Sequence, residues 1–144
     1  MNIATVLASK GVKVVTVQPE QTIREALALL AEHNIGALVV VDETQKPVGI
    51  VSERDIVRAL AKTEAVFQWS ISRIMTKEVI IGSPQDDLAA AGHTMTERRI
   101  RHLPVMERGK LVGIVSIGDI LKVQRDQYQG EVDTLQLQLL KDQA

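Results

Sequence analysis

Residues 49–57 read GIVSERDIV and residues 113–121 read GIVSIGDIL, identical at six of nine positions. A chain of 144 residues that writes one strand-to-helix junction twice is built from a duplicated unit. The match extends outward from the junction. Pro19 corresponds to Pro84, Ile35 to Ile100 and Leu38 to Leu103 at one constant offset, and Gly49 to Gly113 at an offset one residue shorter. The loss falls where DETQKP in the first half gives way to ERGK in the second, a turn, where deletions are tolerated.

Each half reads β-α-β-β-α. A β-branched stretch, VVTV (14–17) or VII (79–81), ends in a proline-containing turn. A helix follows. Thr22 and Glu25 form the T-x-x-E pattern of a capping box. Ile23, Ala26, Leu27 and Leu30 then make one apolar face, as do Leu88, Ala91, Gly92 and Met95 in the second half. Two strands come next, GALVVVD and VGIVS in one half, HLPVM and LVGIVS in the other. A second helix closes each half, with Ile56, Val57 and Leu60, or Ile120 and Leu121, expected to face inward. Near-continuous apolar strands predict burial on both faces, so each half is an incomplete layer that needs its twin. The fold class is α/β (α+β), two tandem β-α-β-β-α repeats packed as a pseudo-two-fold pair. The expected organisation is an N-terminal segment (1–12), a first repeat (13–62), a linker (63–77), a second repeat (78–124) and a C-terminal helix (125–144). Phe67 and Trp69, in the connecting stretch, are expected to clasp the halves together.

Composition narrows the function. Hydrophobic residues make up 45% of the chain but aromatics only 2%, too few for a surface that stacks nucleic-acid bases. Seventeen basic and 18 acidic residues leave a formal charge of −1, so no global field draws phosphate backbones or acidic membranes. The absence of cysteine removes disulfides, thiolate zinc sites and thiol nucleophiles together. The longest apolar run, ALVVV (37–41), is far short of the roughly 20 residues of a membrane span. MNIATVLASK lacks the pattern of a secretory signal, and a cytoplasmic location is the expectation.

The ordered set of markers, occurring twice over roughly residues 10–122, resembles the CBS domain pair, the regulatory module named after cystathionine β-synthase and also called a Bateman module. The markers are the β-P-x-x-[TD]-[IL]-x-x-A stretch, the NIGALVVVD and RIRHLPVME strands, and the G-[IV]-V-S-x-x-D-[IL] junction. The resemblance is to stand-alone bacterial members.

The junction itself has two roles open to it. Ser52-x-x-Asp55 and Ser116-x-x-Asp119 each open a helix, where Ser at the N-cap and a carboxylate at N3 satisfy orphan amides, a contribution of about 1 kcal/mol. The same turn presents amides and a partial positive charge to a phosphate, with an acid in place to accept from ribose hydroxyls. In CBS pairs the matching Ser/Thr-x-x-Asp binds the phosphate and ribose of adenine nucleotides, which implies that role for Ser52, Asp55, Ser116 and Asp119, with Arg54 beside them. In ERRIRHLPV (97–105), Arg98 and Arg99 suit a solvated helix end, whereas Arg101 and His102 are read as lying inside a strand, where a cation is costly without an anion to compensate it. The resemblance likewise implies that Arg101 and His102 reach phosphate, and that adenine lies near the first strand of each repeat, at about Val14 and Val79.

The resemblance therefore implies a regulatory module without catalytic cofactor or metal, binding AMP, ADP, ATP or NAD and passing a conformational change to a homodimer or an unidentified protein target. The halves differ, Gly36-Ala37 standing where the second has Arg101-His102, so the two clefts are expected to differ in affinity or ligand. No phosphate-loop Lys follows GIVSIG, no nucleophile elbow occurs, and His33, His93 and His102 lack metal-ligand spacing, so catalysis is not expected. The alternative function is a ligand-independent interaction scaffold using the C-terminal helix, where Tyr128, Val132, Leu135 and Leu139 form a coiled-coil-like stripe. The same stripe also suits a helix packed on its own domain, and Gly130 weakens it as an uninterrupted helix.

Overall fold

The computed structural model describes residues 1–11 and 14–143; the expected start of the first repeat at residue 13 lies outside them. In the first half, β1 (Thr16–Val17) runs parallel to β2 (Ala37–Val41), which pairs antiparallel with β3 (Pro47–Ser52). β2 is buried along its whole length, as its unbroken ALVVV requires. In the second half, β4 (His102–Glu107) and β5 (Lys110–Ser116) form an antiparallel pair. The strand expected over 79–81 does not form. Gly82 alone joins β4, donating its N–H to the Pro104 carbonyl at 2.8 Å and accepting from the Met106 N–H at 2.9 Å. Extending that parallel ladder back to Ile80 needs an amide proton at residue 104, and proline has none. Val39, the matching residue of the first half, carries one, and there the ladder extends.

The helices are α1 (Ile3–Lys10), α2 (Ile23–His33), α3 (Glu53–Leu60), α4 (Leu88–Arg98) and α5 (Ile117–Asp142). Thr22 caps α2 by accepting from the Glu25 N–H at 3.2 Å. The box is only half made, because the Glu25 carboxylate accepts from Gln21 Nε2 instead. In α3 and α5, Ile56 and Ile120 are buried as expected, whereas Val57 and Leu121 are 65% and 59% exposed. Each lies 100° further round its helix and faces away from the core. α5 runs without interruption through Gly130, so the expected separate C-terminal helix is the continuation of the helix that closes the second repeat.

Two apolar clusters form the interior. One joins Val17, Ile23, Leu30, Leu38, Val51 and Ile56. The other joins Leu88, Met95, Leu103, Val105, Val115 and Ile120. Each is completed by the segment that precedes the other repeat. Ile3, Val6 and Leu7 of α1, which precedes the first repeat, are buried in the second repeat's cluster. Val66 and Ile71, from two 3₁₀ turns that precede the second repeat, are buried in the first repeat's cluster, with Trp69 and Met75 packed against it. The connecting segment thus closes one half rather than clasping the two together, which corrects the expectation for Phe67 and Trp69. Both closures press on the glycine of the repeated junction. A Cβ on Gly113 would collide with Leu7, and one on Gly49 would lie 2.5 Å from Met75 Sδ.

Candidate functional site

Both repeated junctions form complete capping boxes. Ser52 accepts from the Asp55 N–H at 3.2 Å while Asp55 Oδ2 accepts from the Ser52 N–H at 2.9 Å and from its hydroxyl at 3.0 Å. Ser116 accepts from the Asp119 N–H at 3.0 Å and returns its own N–H to Asp119 Oδ2 at 2.9 Å. The capping role is therefore present at both. What differs is the surroundings.

The first junction opens on a cleft of about 970 Å³, within the range of small-molecule sites. Its floor and one wall come from the first repeat, through Gly36, Ile50, Ser52, Glu53, Arg54, Asp55 and Arg58. The other wall comes from the second, through Glu78, Ile80, Arg99, Ile100, Arg101, His102 and Ile117, and Thr76 of the connecting segment also lines the cleft. Of the residues read from the sequence, the cleft gathers Ser52, Arg54, Asp55, Arg101 and His102. Val79 is not among its lining residues, although Glu78 and Ile80 on either side of it are. Val14, half-buried, Ser116 and Asp119 do not line it either.

Four arginines therefore line one space. Among the described residues none of Arg54, Arg58, Arg99 and Arg101 makes an ion pair. Arg58 and Arg99 were not anticipated. Arg58 was legible, since it follows Arg54 by one helical turn and shares its face. Arg99 was read as a helix-end cation. It does terminate α4, in the left-handed conformation at φ 56°, where the first repeat uses Asn34 at φ 51°. Asn tolerates that conformation more readily than Arg, so the second repeat accepts backbone strain at a residue that also reaches the cleft. Arg101 is exposed and precedes β4 rather than lying inside it, which corrects the expectation that it needs an anion merely to be tolerated in a strand. His102 opens the strand and is half-buried. Burial lowers its pKa below the ordinary 6.5, with nearby Lys10 acting the same way and Asp119 opposing. Burial and Lys10 both favour the neutral imidazole.

The second junction is occupied from within the chain. Lys10 Nζ, at the end of α1, donates to Asp119 Oδ2 at 2.6 Å and to the Ile114 carbonyl at 2.8 Å. Burial acts against the Asp119 carboxylate, but the hydrogen bonds from Lys10 and Ser116 outweigh it and hold its pKa below the usual value. Among the described residues no cluster of His, Asp and Glu is arranged to hold a metal, and no helix is long and apolar enough to cross a membrane.

The fold recurs in known proteins. A solved structure of a CBS-domain protein from Agrobacterium tumefaciens, ATU1752, is 42% identical and superposes with a TM-score of 0.82 over 86% of this chain and 99% of that one. The CBS domain pair of protein MJ0100, solved in complex with 5′-methylthioadenosine and S-adenosyl-L-methionine, is 30% identical with a TM-score of 0.79 over 88% of this chain and 98% of that one. An uncharacterised 33.4 kDa protein of Thermofilum pendens is 46% identical over 99 residues, 69% of this chain but only 32% of the relative's length. The CBS domain family itself matches twice, over residues 7–62 and 71–126, so the chain belongs to the CBS domain family and carries a CBS pair.

Proposed function

We propose that the chain is a regulatory module that binds an adenosine-containing ligand in the cleft between its repeats. AMP, ADP, ATP or NAD is favoured over an uncharged nucleoside. The observation that carries this is the convergence of Asp55 with four unpaired arginines on one cleft built from both repeats. The carboxylate accepts from the ribose diol, the N-terminus of α3 and Arg54 and Arg58 meet phosphate from one side, and Arg99 and Arg101 meet it from the other. The adenosine-type ligands of the MJ0100 pair support the class of ligand. A ligand that touches both walls biases their relative placement by the difference in its affinity for the open and closed arrangements, and a partner reads that bias. Binding and signalling need no catalytic group, and none is assigned. The test is thermal unfolding with AMP, ADP, ATP, NAD and S-adenosylmethionine. At 100-fold excess over Kd the stabilisation is about 2.7 kcal/mol, a rise of several degrees. No rise with any of the five overturns the assignment.

The transmitting assembly is a homodimer paired through α5. Tyr128, Leu135 and Leu139 are 69%, 60% and 61% exposed and Val132 is half-buried, so three of the stripe's four residues are left free of their own domain and support a partner helix. The stripe repeats at heptad spacing and is flanked by Gln129, Gln136 and Gln138 with one acidic residue, Glu131, so two identical helices meet with few like charges beside the seam. Acidic residues outnumber basic ones along α5, which disfavours an anionic membrane as the occupant. Analytical ultracentrifugation of Leu135→Glu/Leu139→Glu should give a monomer where the parent gives a dimer. A monomeric parent overturns the pairing.

A further inference from the structure

The two junctions are alike in sequence and capping geometry, yet only one is left with an acid that a ligand can use. In the first half, the backbone of Ile50 pairs with Thr76: the Thr76 N–H donates to the Ile50 carbonyl at 2.8 Å, and the Ile50 N–H donates to the Thr76 carbonyl at 3.0 Å. In the second half the matching carbonyl, that of Ile114, accepts from the Lys10 ammonium. A side-chain cation thus stands where the first half uses a backbone amide, and it also holds Asp119. Lys10 is delivered by a fixed element. Leu7, one turn earlier, lies against Gly113 of the junction, and Ile3 and Val6 are fully buried beneath it.

The consequences for a ribose differ sharply. At Asp55, Oδ2 is shared between the Ser52 amide and a hydroxyl that rotates away at little cost, and Oδ1 accepts no hydrogen bond among the described residues. At Asp119, Oδ2 is engaged by a tethered ammonium, which neutralises the carboxylate and stands beside the oxygen that the second hydroxyl of a diol would meet. We infer that Lys10 is an internal ligand of Asp119 that confines nucleotide binding to the first cleft, so that each chain takes one nucleotide although it carries two junctions. The lysine is a selectivity residue acting through Asp119. This rests on the assignment of the first cleft made above.

Titration calorimetry with AMP separates the two claims. The parent should bind one AMP per chain, Lys10→Met and Lys10→Ala should each bind two, and Lys10→Arg should return to one. Adding Asp119→Ala to Lys10→Met should remove the gained site, and Asp55→Asn in the parent should weaken the original one. One site in the parent and in both neutral variants overturns the role of Lys10 and leaves the first cleft standing. Two sites in the parent overturn it as well. No binding to the parent with one site gained in Lys10→Met overturns the first cleft and supports the lysine. No binding to any of them overturns both. Folding of each variant is checked by its unfolding transition, and the paired variants Lys10→Met and Lys10→Arg keep the helical stem while differing in charge.

Discussion

Asp55→Asn separates the observed capping role of the junction from its proposed ribose role. As a cap, Asp55 uses one oxygen, Oδ2, against the Ser52 amide and hydroxyl at 2.9 and 3.0 Å. An asparagine carbonyl can occupy the same position, so the box survives apart from the charge. Loss of a whole cap costs about 1 kcal/mol, and the charge is a fraction of that. For a chain of this size the melting temperature without ligand should fall by no more than about 3 °C. As a ligand acceptor, the residue loses far more. With the carbonyl held in the box, the amide NH2 replaces Oδ1 and presents donors to a ribose diol that is itself donating. A hydrogen bond to a charged acceptor contributes about 1.5–3 kcal/mol, so AMP affinity should fall roughly 10- to 150-fold. Titration calorimetry gives the affinity and unliganded thermal unfolding gives the cap. An unchanged Kd, whatever the melting temperature does, refutes the ribose role and leaves Asp55 a helix cap.

Arg101→Ala should weaken AMP about 10-fold or more while leaving adenosine within two-fold, because an exposed arginine at the cleft wall acts on phosphate alone; equal losses for both ligands would refute this. His102 has its pKa lowered by burial, so the unfolded chain takes up its proton near 6.5 and the folded chain only at lower pH. Its contribution to stability is therefore present above pH 6.5 and is lost as pH falls from there through the folded pKa. His102→Gln should flatten that acid limb of the stability curve, and an unchanged limb would refute it. Leu7→Ala should destabilise the chain by about 2–4 kcal/mol in chemical denaturation, since α1 belongs to the second repeat's core; a change below 0.5 kcal/mol, roughly that of a surface substitution, would make it a dispensable arm.

Much of the fold was legible because duplication lets each half check the other. The capped helices at Thr22 and Ser52, the buried run ALVVV and the turn that lost a residue all carry local signals, and each has a counterpart in the second half. The departures arise where one half cancels a signal that the other keeps. VII at 79–81 is as β-branched as VVTV, yet Pro104 on the neighbouring strand withholds the proton that would pair it, and no property of residues 79–81 reveals that. Val57 and Leu121 look like core residues because they adjoin Ile56 and Ile120. A residue one step along a helix lies 100° round it, so adjacency to a core residue does not place Val57 or Leu121 on the core face.

The site divides along the same line. Ser52, Asp55, Arg101 and His102, which line the cleft, could be singled out because their neighbours in sequence made them conspicuous. Lys10 could not be found that way, since its partners Ile114 and Asp119 are more than 100 residues distant in the chain. Only the crossing of the leading segments, α1 onto the second repeat and the 3₁₀ turns onto the first, brings it there. That crossing explains how a duplicated module becomes asymmetric without changing its junctions. The segment that closes the first half ends in a backbone pair between Ile50 and Thr76, and Glu78 then lines the cleft. The segment that closes the second ends in a lysine. On the role proposed for Lys10, the residues that decide which cleft is used lie outside the repeated motif, in the elements that precede each copy, where substitution leaves the capping boxes and the strands they terminate untouched.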